Sequence, residues 1–230
     1  SVVDPDGNLW LAKFPSVEDA EDIGAWESVV HHLARSAGLD VAPAKLERFG
    51  KKQHTFVVRR FDRTDTGGRV HFASAMTMLE RRDGDEGASY LELAQALIRH
   101  GARTGPDLEQ LWRRIVFSVC VSNVDDHLRN HGVLRRPKGW ALAPAYDLNP
   151  VAHGDGLRLS ISETDNAQDL SLCRDVAKHF RVTGRRGAEI IADVVKSVRG
   201  WRREATRVGL SRAEQDRMAR AFRVADAVED

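Results

Sequence analysis

The chain has 230 residues, of which 42% are apolar and 30% are charged. A polypeptide of this size can build one large domain or two small lobes around a shared cleft. Its 35 Lys and Arg residues nearly balance its 34 Asp and Glu residues, which leaves a net charge of +1. A general nucleic-acid-binding protein would have a strong basic excess, so we expect no direct nucleic-acid binding.

Cysteine content and hydropathy narrow the class of protein further. Cys120 and Cys173 lie far apart in apolar helical patterns, without a Cys/His metal spacing, which argues against a disulfide or zinc framework. No apolar run approaches the length of a membrane span, and residues 1–7 are polar and turn-like rather than a signal peptide. We therefore expect a cytoplasmic protein with no membrane partner.

The first part of the chain, residues 1–63, predicts a small lobe built from a β-sheet and one helix. Residues 8–14 form a short apolar segment typical of a strand, and two further strands are expected at residues 44–49 and 55–61. After the first strand, apolar residues recur at helical spacing over residues 22–37. The order strand, helix, strand, strand indicates a small sheet with a helix packed on it.

The remaining residues, 64–230, predict a larger and mainly helical lobe. One helix should end near Gly101, and the strongest helical pattern in the chain covers residues 106–120. A hairpin is expected within residues 133–142, and three or four helices are expected over residues 169–228. The expected class is therefore α+β, with a small β-rich lobe and a larger helical lobe.

A cluster of polar residues follows the strongest helix, at residues 123–130, with the sequence N-V-D-D-H-L-R-N. A buried helix that ends in a polar loop is a common way to present catalytic groups. In the catalytic loop of kinases an Asp orients the attacking hydroxyl and accepts its proton, and an Asn five residues later holds Mg²⁺. Asp125 and Asn130 have that spacing, so they are the candidate catalytic base and a candidate metal ligand.

Three further residues complete the kinase pattern. Mg²⁺ prefers oxygen ligands, and Asp147 follows the predicted hairpin, where kinases carry their second metal-binding carboxylate. Lys13 lies within an apolar strand, where a buried ammonium needs an anion, as the phosphate-binding Lys of kinases does. Glu27 on the following helix is its expected partner, with Asp22 as the alternative.

Taken singly, each of these residues has an ordinary explanation. Lys13 or Glu27 could be a solvated surface residue, and Asp147 could cap a turn. The polar loop could be an Asx-turn network at the end of a helix. The order of the whole set along the chain is what favours catalysis, because strand Lys, helix Glu, Asp-x-x-x-x-Asn, hairpin and Asp rarely follow one another by chance.

Three segments also resemble the signature segments of the HipA family of bacterial toxin kinases. They are V-V-R-R-F-D-R at residues 57–63, N-V-D-D-H-L-R-N-H-G at residues 123–132 and L-A-P-A-Y-D-L-N-P at residues 142–150. The resemblance extends over nearly the whole chain. It implies a two-lobed protein-kinase-like fold, ATP and Mg²⁺ as cofactors, and transfer of the ATP γ-phosphate to a Ser or Thr of a protein target.

The resemblance also implies roles for individual residues. The catalytic base would be Asp125, and the Mg²⁺ ligands would be Asn130 and Asp147. The residues at the nucleotide would be Lys13 and its partner Glu27, then Val57, Arg59 and Phe61 at an interlobe hinge where backbone groups bind adenine, and finally His127 and Tyr146.

Partners are implied by the resemblance as well. Known family substrates include aminoacyl-tRNA synthetases, so the implied protein target is a synthetase or another translation factor. The usual partner of the family is a small DNA-binding antitoxin encoded beside the toxin. A HipB-like antitoxin, within a toxin–antitoxin system, is therefore expected.

Two alternatives to a kinase stay open. Only twelve residues precede Lys13, and the sequence contains no G-x-G-x-x-G or P-loop motif to clamp phosphates, which favours a nucleotide-binding pseudokinase that acts through its antitoxin. The other alternative is a metal-dependent phosphoesterase, because the polar loop contains histidines as well as acids. Its candidate metal-binding residues are His127, His131, Asp125, Asp126 and Asp147.

Overall fold

The computed structural model describes residues 1–16, 21–50, 53–64, 66–85 and 87–228 of the chain. In these residues the protein has a small β-rich lobe and a larger helical lobe, which confirms the α+β class predicted from the sequence. The strands are β1 (Val2–Val3), β2 (Leu9–Lys13), β3 (Ala44–Glu47), β4 (Thr55–Arg59), β5 (Phe72–Ser74), β6 (Gly132–Arg136) and β7 (Gly139–Leu142). The helices are α1 (Ile23–Ser36), α2 (Ala75–Met78), α3 (Tyr90–His100), α4 (Thr104–Val121), α5 (Leu170–Val176), α6 (Gly184–Val198), α7 (Trp201–Arg207), α8 (Arg212–Met218) and α9 (Arg223–Asp226).

The small lobe is a four-stranded antiparallel sheet in the order β1-β2-β4-β3. The three strands predicted from the sequence are confirmed as β2, β3 and β4, and the predicted helix between the first two is α1. Strand β1 was not predicted, because two residues are too few to show an alternating pattern. It pairs with β2 through Val2 and Trp10 and forms one edge of the sheet.

Helix α1 is joined to the sheet at its first turn. The carboxylate of Asp22 accepts hydrogen bonds from the backbone N–H of Ala25 at 3.1 Å and of His54 at 3.1 Å, so it caps the helix and also holds the start of β4. Gly24 permits this close approach, since a Cβ at that position would lie 2.4 Å from the carbonyl oxygen of His54. The junction fixes the position of α1 against the sheet.

Helix α1 also packs against the C-terminal helices of the large lobe. Trp26 is 1% exposed, and the centre of its indole ring lies 6.2 Å from the ring centres of both Trp201 and Phe222. Trp201 and Phe222 stack on each other with their ring centres 4.4 Å apart. Buried aromatic surface dominates the energetics of such contacts. The helix that carries Glu27 is therefore held by both lobes.

Helix α4 forms the centre of the large lobe. Residues 111–121 are all buried, and the helix contacts α3, α5, α6 and α9. It confirms the strongest helical pattern of the sequence, although it begins two residues earlier than predicted, at Thr104. Ser122 ends the helix in a left-handed conformation with a φ of 49°. This turn delivers the chain into residues 123–131, which we call the catalytic loop.

A second sheet, in the order β5-β6-β7, lies directly beside the catalytic loop, since β6 begins at Gly132 where the loop ends. The hairpin predicted within residues 133–142 is confirmed as β6 and β7. Strand β5 was not predicted, because three residues without clear alternation carry no strand pattern. It pairs with β6 through Ala73 and Val133. This pairing joins the segment that follows the small lobe to the strand that follows the catalytic loop.

The C-terminal part of the large lobe contains more helices than expected. The prediction of three or four helices over residues 169–228 is wrong in number, since this range contains five, α5 to α9. Three-ten turns at Ala177–Phe180 and Ala219–Phe222 directly follow α5 and α8, so the apolar pattern does not separate neighbouring short elements. None of the helices in the described part of the chain has the length and hydropathy needed to cross a membrane.

The predicted boundary between the two lobes, at residues 63 and 64, falls in a turn. A single antiparallel bridge joins Arg63 to Arg69, and the chain then enters β5 of the large lobe. Asp65 lies outside the described residues. The division of the chain into domains at residues 1–63 and 64–230 stays a prediction.

Candidate active site

A cavity of about 490 Å³ lies between the small sheet, α1, the catalytic loop and the segment that follows β7. Its volume is within the range of small-molecule sites and can accommodate a nucleotide. Two of the ten site residues proposed from the sequence, Val57 and Asp125, do not line it. The eight that line the cavity are Lys13, Glu27, Arg59, Phe61, His127, Asn130, Tyr146 and Asp147.

Lys13 joins two acidic residues at this cavity. Its Nζ lies 2.6 Å from Glu27 Oε1 and 2.6 Å from Asp147 Oδ1, so one ammonium connects β2, α1 and the segment after β7. The side chain of Glu27 is 5% exposed, whereas that of Asp147 is 41% exposed. The alternative partner proposed for Lys13 was wrong, because the Asp22 carboxylate caps α1 and lies 2.6 Å from His54 Nδ1.

The electrostatics of this ion cluster follow from burial. Burial raises the pKa of Glu27 to about 7, and the attraction of the Lys13 ammonium offsets part of the rise. Burial by itself would lower the pKa of Lys13, but the carboxylates of Glu27 and Asp147 outweigh it, so the pKa of Lys13 is raised. The ammonium therefore stays charged at neutral pH and can bind an anion such as a phosphate.

Asp125 lies beside the cavity with an exposed side chain. That side chain is 72% exposed, and its Oδ1 is 3.1 Å from Arg158 Nη1. The backbone carbonyl of Asp125 accepts a hydrogen bond from Asn130 Nδ2 at 3.3 Å, which places it directly next to the cavity lining. An accessible carboxylate in this position can receive a proton from the hydroxyl group of a large substrate.

Asp126, the neighbour of Asp125, points instead into a buried polar network beneath the loop. Its carboxylate accepts a hydrogen bond from the Tyr90 hydroxyl and another from the Ser118 hydroxyl at 3.3 Å, and it lies 3.0 Å from His131 Nε2. Burial raises the pKa of Asp126, but His131 and these donors outweigh it, so the pKa is lowered overall. A charged carboxylate with three partners holds the catalytic loop in place.

The backbone at Asp147 is unusual. Its φ of 58° lies in the left-handed region, which a residue with a Cβ adopts at a cost of roughly 1–3 kcal/mol. Hydrogen bonds of Asn149 support it, one from Nδ2 to Asp147 Oδ1 at 3.4 Å and one from the backbone N–H to Asn123 Oδ1 at 3.2 Å. Non-glycine residues in this conformation cluster at functional sites, which is consistent with a role for Asp147.

Asn130 and Asp147 have the donor atoms that Mg²⁺ requires. The amide nitrogen of Asn130 is engaged by the Asp125 carbonyl, which leaves its amide oxygen for a cation. Asp147 adds a carboxylate on the same cavity. Mg²⁺ in phosphate-transferring sites is held by one or two such protein oxygens and takes its other ligands from phosphates and water. The two residues therefore fit this metal.

Aromatic rings form one wall of the cavity. The ring centre of Tyr146 lies 5.7 Å from that of Phe61 and 6.3 Å from that of Phe72. The Tyr146 hydroxyl donates a hydrogen bond to the backbone carbonyl of Arg129 at 2.6 Å, which fixes the ring against the catalytic loop. A wall of flat apolar rings is suited to a purine base.

The side chain of Val57 does not reach the cavity. It is 2% exposed within β4 and does not line the cavity, whereas Val58 does. Side chains alternate along a strand, and Lys13 is paired in register with Phe56, so Phe56 and Val58 share the cavity face with Lys13. A contact between the backbone of Val57 and a nucleotide stays a prediction.

A comparison with protein families decides where this chain belongs. The family model described as "HipA-like C-terminal domain" matches residues 2–202, which is most of the sequence. The chain belongs to this family. The family membership predicted from the three signature segments is confirmed.

Among curated proteins, the HipA-like chain is similar to two from Sinorhizobium fredii. It is 31% identical over 174 residues to one named "Putative kinase Y4mE", an alignment that covers 67% of this chain and 40% of that protein. It is 28% identical to "Putative kinase Y4dM", over 97% of this chain and 56% of that protein. The chain thus spans about half the length of these curated relatives.

Solved structures show the same fold for this HipA-like chain. A chain of the Shewanella oneidensis MR-1 complex of HipA, HipB and operator DNA matches with a TM-score of 0.71 and 18% identity, over 94% of this chain and 56% of that one. The Helicobacter pylori proinflammatory kinase CtkA matches with a TM-score of 0.59 and 16% identity, over 95% and 91% of the two chains. The two-lobed, kinase-like fold predicted from the sequence is confirmed.

Some residues at the HipA-like site were not predicted. Leu11 and Val58 line the cavity. The two-residue period of β2, counted from Lys13, could have identified Leu11, whereas Val58 on β4 also needed the register between the two strands. Phe72 lines the cavity and Arg158 contacts the catalytic loop from a distant segment. Neither belongs to a recognisable motif, so no signal in the sequence pointed to them.

The geometry does not favour the metal-dependent phosphoesterase considered above. Asp126 and His131 are 2% and 3% exposed and interact with each other beneath the catalytic loop, so neither is available to a metal in the cavity. Within the described ranges, no group of three or more His, Cys, Asp and Glu side chains is arranged to hold a metal ion.

Proposed function

We propose that this HipA-like chain is an ATP- and Mg²⁺-dependent protein kinase that transfers the γ-phosphate of ATP to a Ser or Thr hydroxyl. The observation that carries the proposal is the ion cluster in which Lys13 Nζ lies 2.6 Å from both Glu27 and Asp147. In protein kinases a strand Lys pairs with a helix Glu and faces the metal-binding Asp across the nucleotide. The same three residue types occupy the same three kinds of element here.

Each residue at the site has a task in this reaction. Lys13 binds phosphate oxygens, and the buried Glu27 keeps its ammonium directed into the cavity. Asn130 and Asp147 would hold Mg²⁺, and the bound ion would supply positive charge beside the transferring phosphates. Asp125 orients the substrate hydroxyl, whose oxygen attacks the γ-phosphorus while the bond to the β-phosphate oxygen breaks. Asp125 accepts the hydroxyl proton, and ADP leaves.

The contact between Lys13 and Asp147 can be exchanged when a nucleotide binds. Both side chains are 41% exposed, and ion pairs with that exposure contribute little free energy. The phosphates of ATP offer Lys13 a stronger anion, which frees the carboxylate of Asp147 for a cation. Phe61 and Tyr146 would cover the adenine, and Arg59 and His127 would complete the nucleotide contacts.

The protein target and the cellular role extend the same proposal. The Shewanella oneidensis neighbour belongs to a toxin–antitoxin system in which HipA and HipB assemble with operator DNA. By analogy we infer a HipB-like antitoxin as partner and a cytoplasmic translation factor, such as an aminoacyl-tRNA synthetase, as target. The net charge of +1 fits an assembly in which the antitoxin, rather than this chain, contacts the DNA.

Two measurements on the same purified protein test the kinase proposal. Calorimetry with ATP and Mg²⁺ measures binding, and radiolabelled ATP with bacterial lysate proteins measures phosphate transfer. We expect both from the natural chain, and we expect Lys13→Met to lose most of each. Binding without transfer by the natural chain would instead support the pseudokinase, and the absence of binding would overturn both readings.

A further inference from the structure

A second cavity, of about 330 Å³, adjoins the catalytic loop. It lies between that loop, the connection from α2 to α3, and the segment after β7 that contains Arg158. His127 and Arg129 line both this cavity and the nucleotide-sized one. A molecule bound in the second cavity would therefore lie next to the position where the phosphate is transferred.

The second cavity is basic. Among the described residues that line it, arginines outnumber acidic residues by two to one, and the guanidinium fork binds carboxylates and phosphates with paired hydrogen bonds. The arginines are Arg81, Arg82, Arg129 and Arg158, and the acidic residues are Asp83 and Asp85. An anionic group is therefore the ligand that its charge favours.

The connection from α2 to α3 contributes an arginine, Arg82, whose guanidinium has no acidic partner among the described residues. Arg81 forms an ion pair with Glu92 at 2.5 Å, but no acidic side chain in the described part of the chain pairs with the Arg82 guanidinium. The carboxylate of Asp85 accepts a hydrogen bond from the backbone N–H of Arg82 at 2.7 Å. The charge of Arg82 is therefore available to a ligand.

The protein itself places one carboxylate in this cavity. Asp83 Oδ1 lies 2.9 Å from Arg129 Nη1, and this hydrogen bond lowers the pKa of Asp83. The two side chains are 67% and 46% exposed, so their ion pair contributes little free energy and is readily exchanged. Asp83 thus marks a position that an acidic group from another molecule can occupy.

Arg158 connects the second cavity to the reacting position. Its Nη1 is 3.1 Å from Asp125 Oδ1, and its backbone N–H donates to the carbonyl of Val124 at 2.9 Å. These contacts fix the arginine relative to the catalytic loop. An extended peptide advances by about 3.5 Å per residue. A substrate side chain that binds Arg158 or Arg129 therefore comes from a residue within about three positions of the Ser or Thr whose hydroxyl reacts at Asp125.

We propose that the second cavity binds an acidic side chain of the protein substrate, close in sequence to the Ser or Thr that is phosphorylated. The substrate class is a Ser- or Thr-containing segment flanked by Asp, Glu or a phosphorylated residue. This inference rests on the proposed kinase function and adds to it a preference for negatively charged residues near the phosphorylated Ser or Thr.

The test uses short fluorescent peptides that contain one Ser and differ only in the flanking residues, which are Glu, Ala, Lys or phosphothreonine. Fluorescence anisotropy measures their binding to the full chain at low salt, and ATP binding is measured on the same protein. We expect the Glu peptide to bind at least about tenfold more tightly than the Ala peptide, and the Lys peptide to bind most weakly. The phosphothreonine peptide shows whether a phosphate is preferred to a carboxylate.

Two variants that act in opposite directions separate a binding role from general damage to the fold. Arg82→Ala should weaken binding of the Glu peptide about tenfold, since it removes a guanidinium from the lining of the second cavity. Asp83→Asn should strengthen it, because it frees Arg129 from its internal partner. Arg185→Ala is the matched control, since this arginine is 93% exposed on α6 and lines neither cavity.

The outcomes distinguish this inference from the proposed function. Equal binding of the Glu and Lys peptides, or no effect of Arg82→Ala and Asp83→Asn, overturns the acidic-substrate inference even if phosphate transfer is observed. Selective binding with the expected variant effects supports it. If such binding occurs but the Glu peptide and lysate proteins are never phosphorylated, it is the kinase proposal that fails.

Discussion

The ammonium of Lys13 and a carboxylate oxygen of Asp147 lie 2.6 Å apart, although 134 positions separate these residues in the chain. Lys13 is held by the register of β2 with β4, and Asp147 by a left-handed backbone and the hydrogen bonds of Asn149. The contact therefore results from the placement of two separate elements. Disrupting it should affect chemistry far more than stability.

Asp147→Asn should abolish phosphate transfer while it leaves the fold intact. The variant loses the carboxylate proposed to hold Mg²⁺, and a catalytic metal contributes several kcal/mol, which corresponds to a loss of about 10³-fold or more in rate. Initial rates with radiolabelled ATP, together with circular dichroism, test this. Asp155→Asn is the control, because Asp155 lies in the same segment after β7 and is 86% exposed. Full transfer by Asp147→Asn would show that the metal assignment is wrong.

Asp125→Asn should reduce the rate of transfer by about 10²- to 10⁴-fold, the usual contribution of a general base. ATP affinity should stay nearly constant, since Asp125 does not line the nucleotide-sized cavity. Single-turnover kinetics and calorimetry separate these two quantities. Asp175→Asn, an exposed position on α5, should change neither. A large loss of ATP affinity in Asp125→Asn would place this residue in nucleotide binding rather than proton transfer.

Tyr90→Phe should destabilise the protein through the network beneath the catalytic loop. The change removes a donor from the buried carboxylate of Asp126, and the loss of such a bond costs about 1–3 kcal/mol in the free energy of unfolding. Urea denaturation measures the effect. Tyr146→Phe removes a hydroxyl whose hydrogen bond is exposed, so it should cost less than about 1 kcal/mol. Equal effects of the two variants would contradict the structural role of the network.

The raised pKa of Glu27 predicts a pH dependence of stability. Its pKa is about 7 in the folded protein and 4.5 in a free side chain, so the folded state binds the proton more tightly. The free energy of unfolding should therefore fall as pH rises from about 4.5 to about 7, by at most about 3 kcal/mol from this residue.

Glu27→Gln cannot titrate and should lose this part of the slope, which urea denaturation at a series of pH values would show. Glu189→Gln is the control and should keep the slope, because Glu189 is 48% exposed on α6. An unchanged slope in Glu27→Gln would mean that the Lys13 ammonium fully compensates the burial of Glu27.

Trp26→Ala should be strongly destabilising, because the indole is 1% exposed between α1 and the aromatic pair Trp201 and Phe222. Truncation of a buried Trp costs about 3–5 kcal/mol. Thermal and urea denaturation measure the loss. Ile23→Ala on the same helix, at a side chain that is 43% exposed, should cost less than about 1 kcal/mol. Similar costs for both variants would argue against α1 being held by the large lobe.

Periodicity in the sequence was sufficient to predict the long helices but insufficient to predict the shortest elements. The predicted patterns for α1 and α4 correspond closely to the helices in the structure, since an apolar stripe over many residues specifies a buried helix face. Strands β1 and β5 escaped prediction because two or three residues are too few to show an alternating pattern, and β5 also pairs with a strand that is distant in sequence, β6. The choice between Val57 and Val58 at the cavity likewise needed the register of β4 with β2.

The sequence by itself determined the α+β class, the family, and the set of candidate residues Lys13, Glu27, Asp125, Asn130 and Asp147, because these depend on spacing along one chain. Only the tertiary structure decided that the carboxylate of Asp125 is exposed while that of Asp126 is buried. It also decided that arginines from three separate segments line one cavity beside the catalytic loop. Such relationships are set by the packing of elements that are distant in sequence, and local patterns carry no information about distances through space.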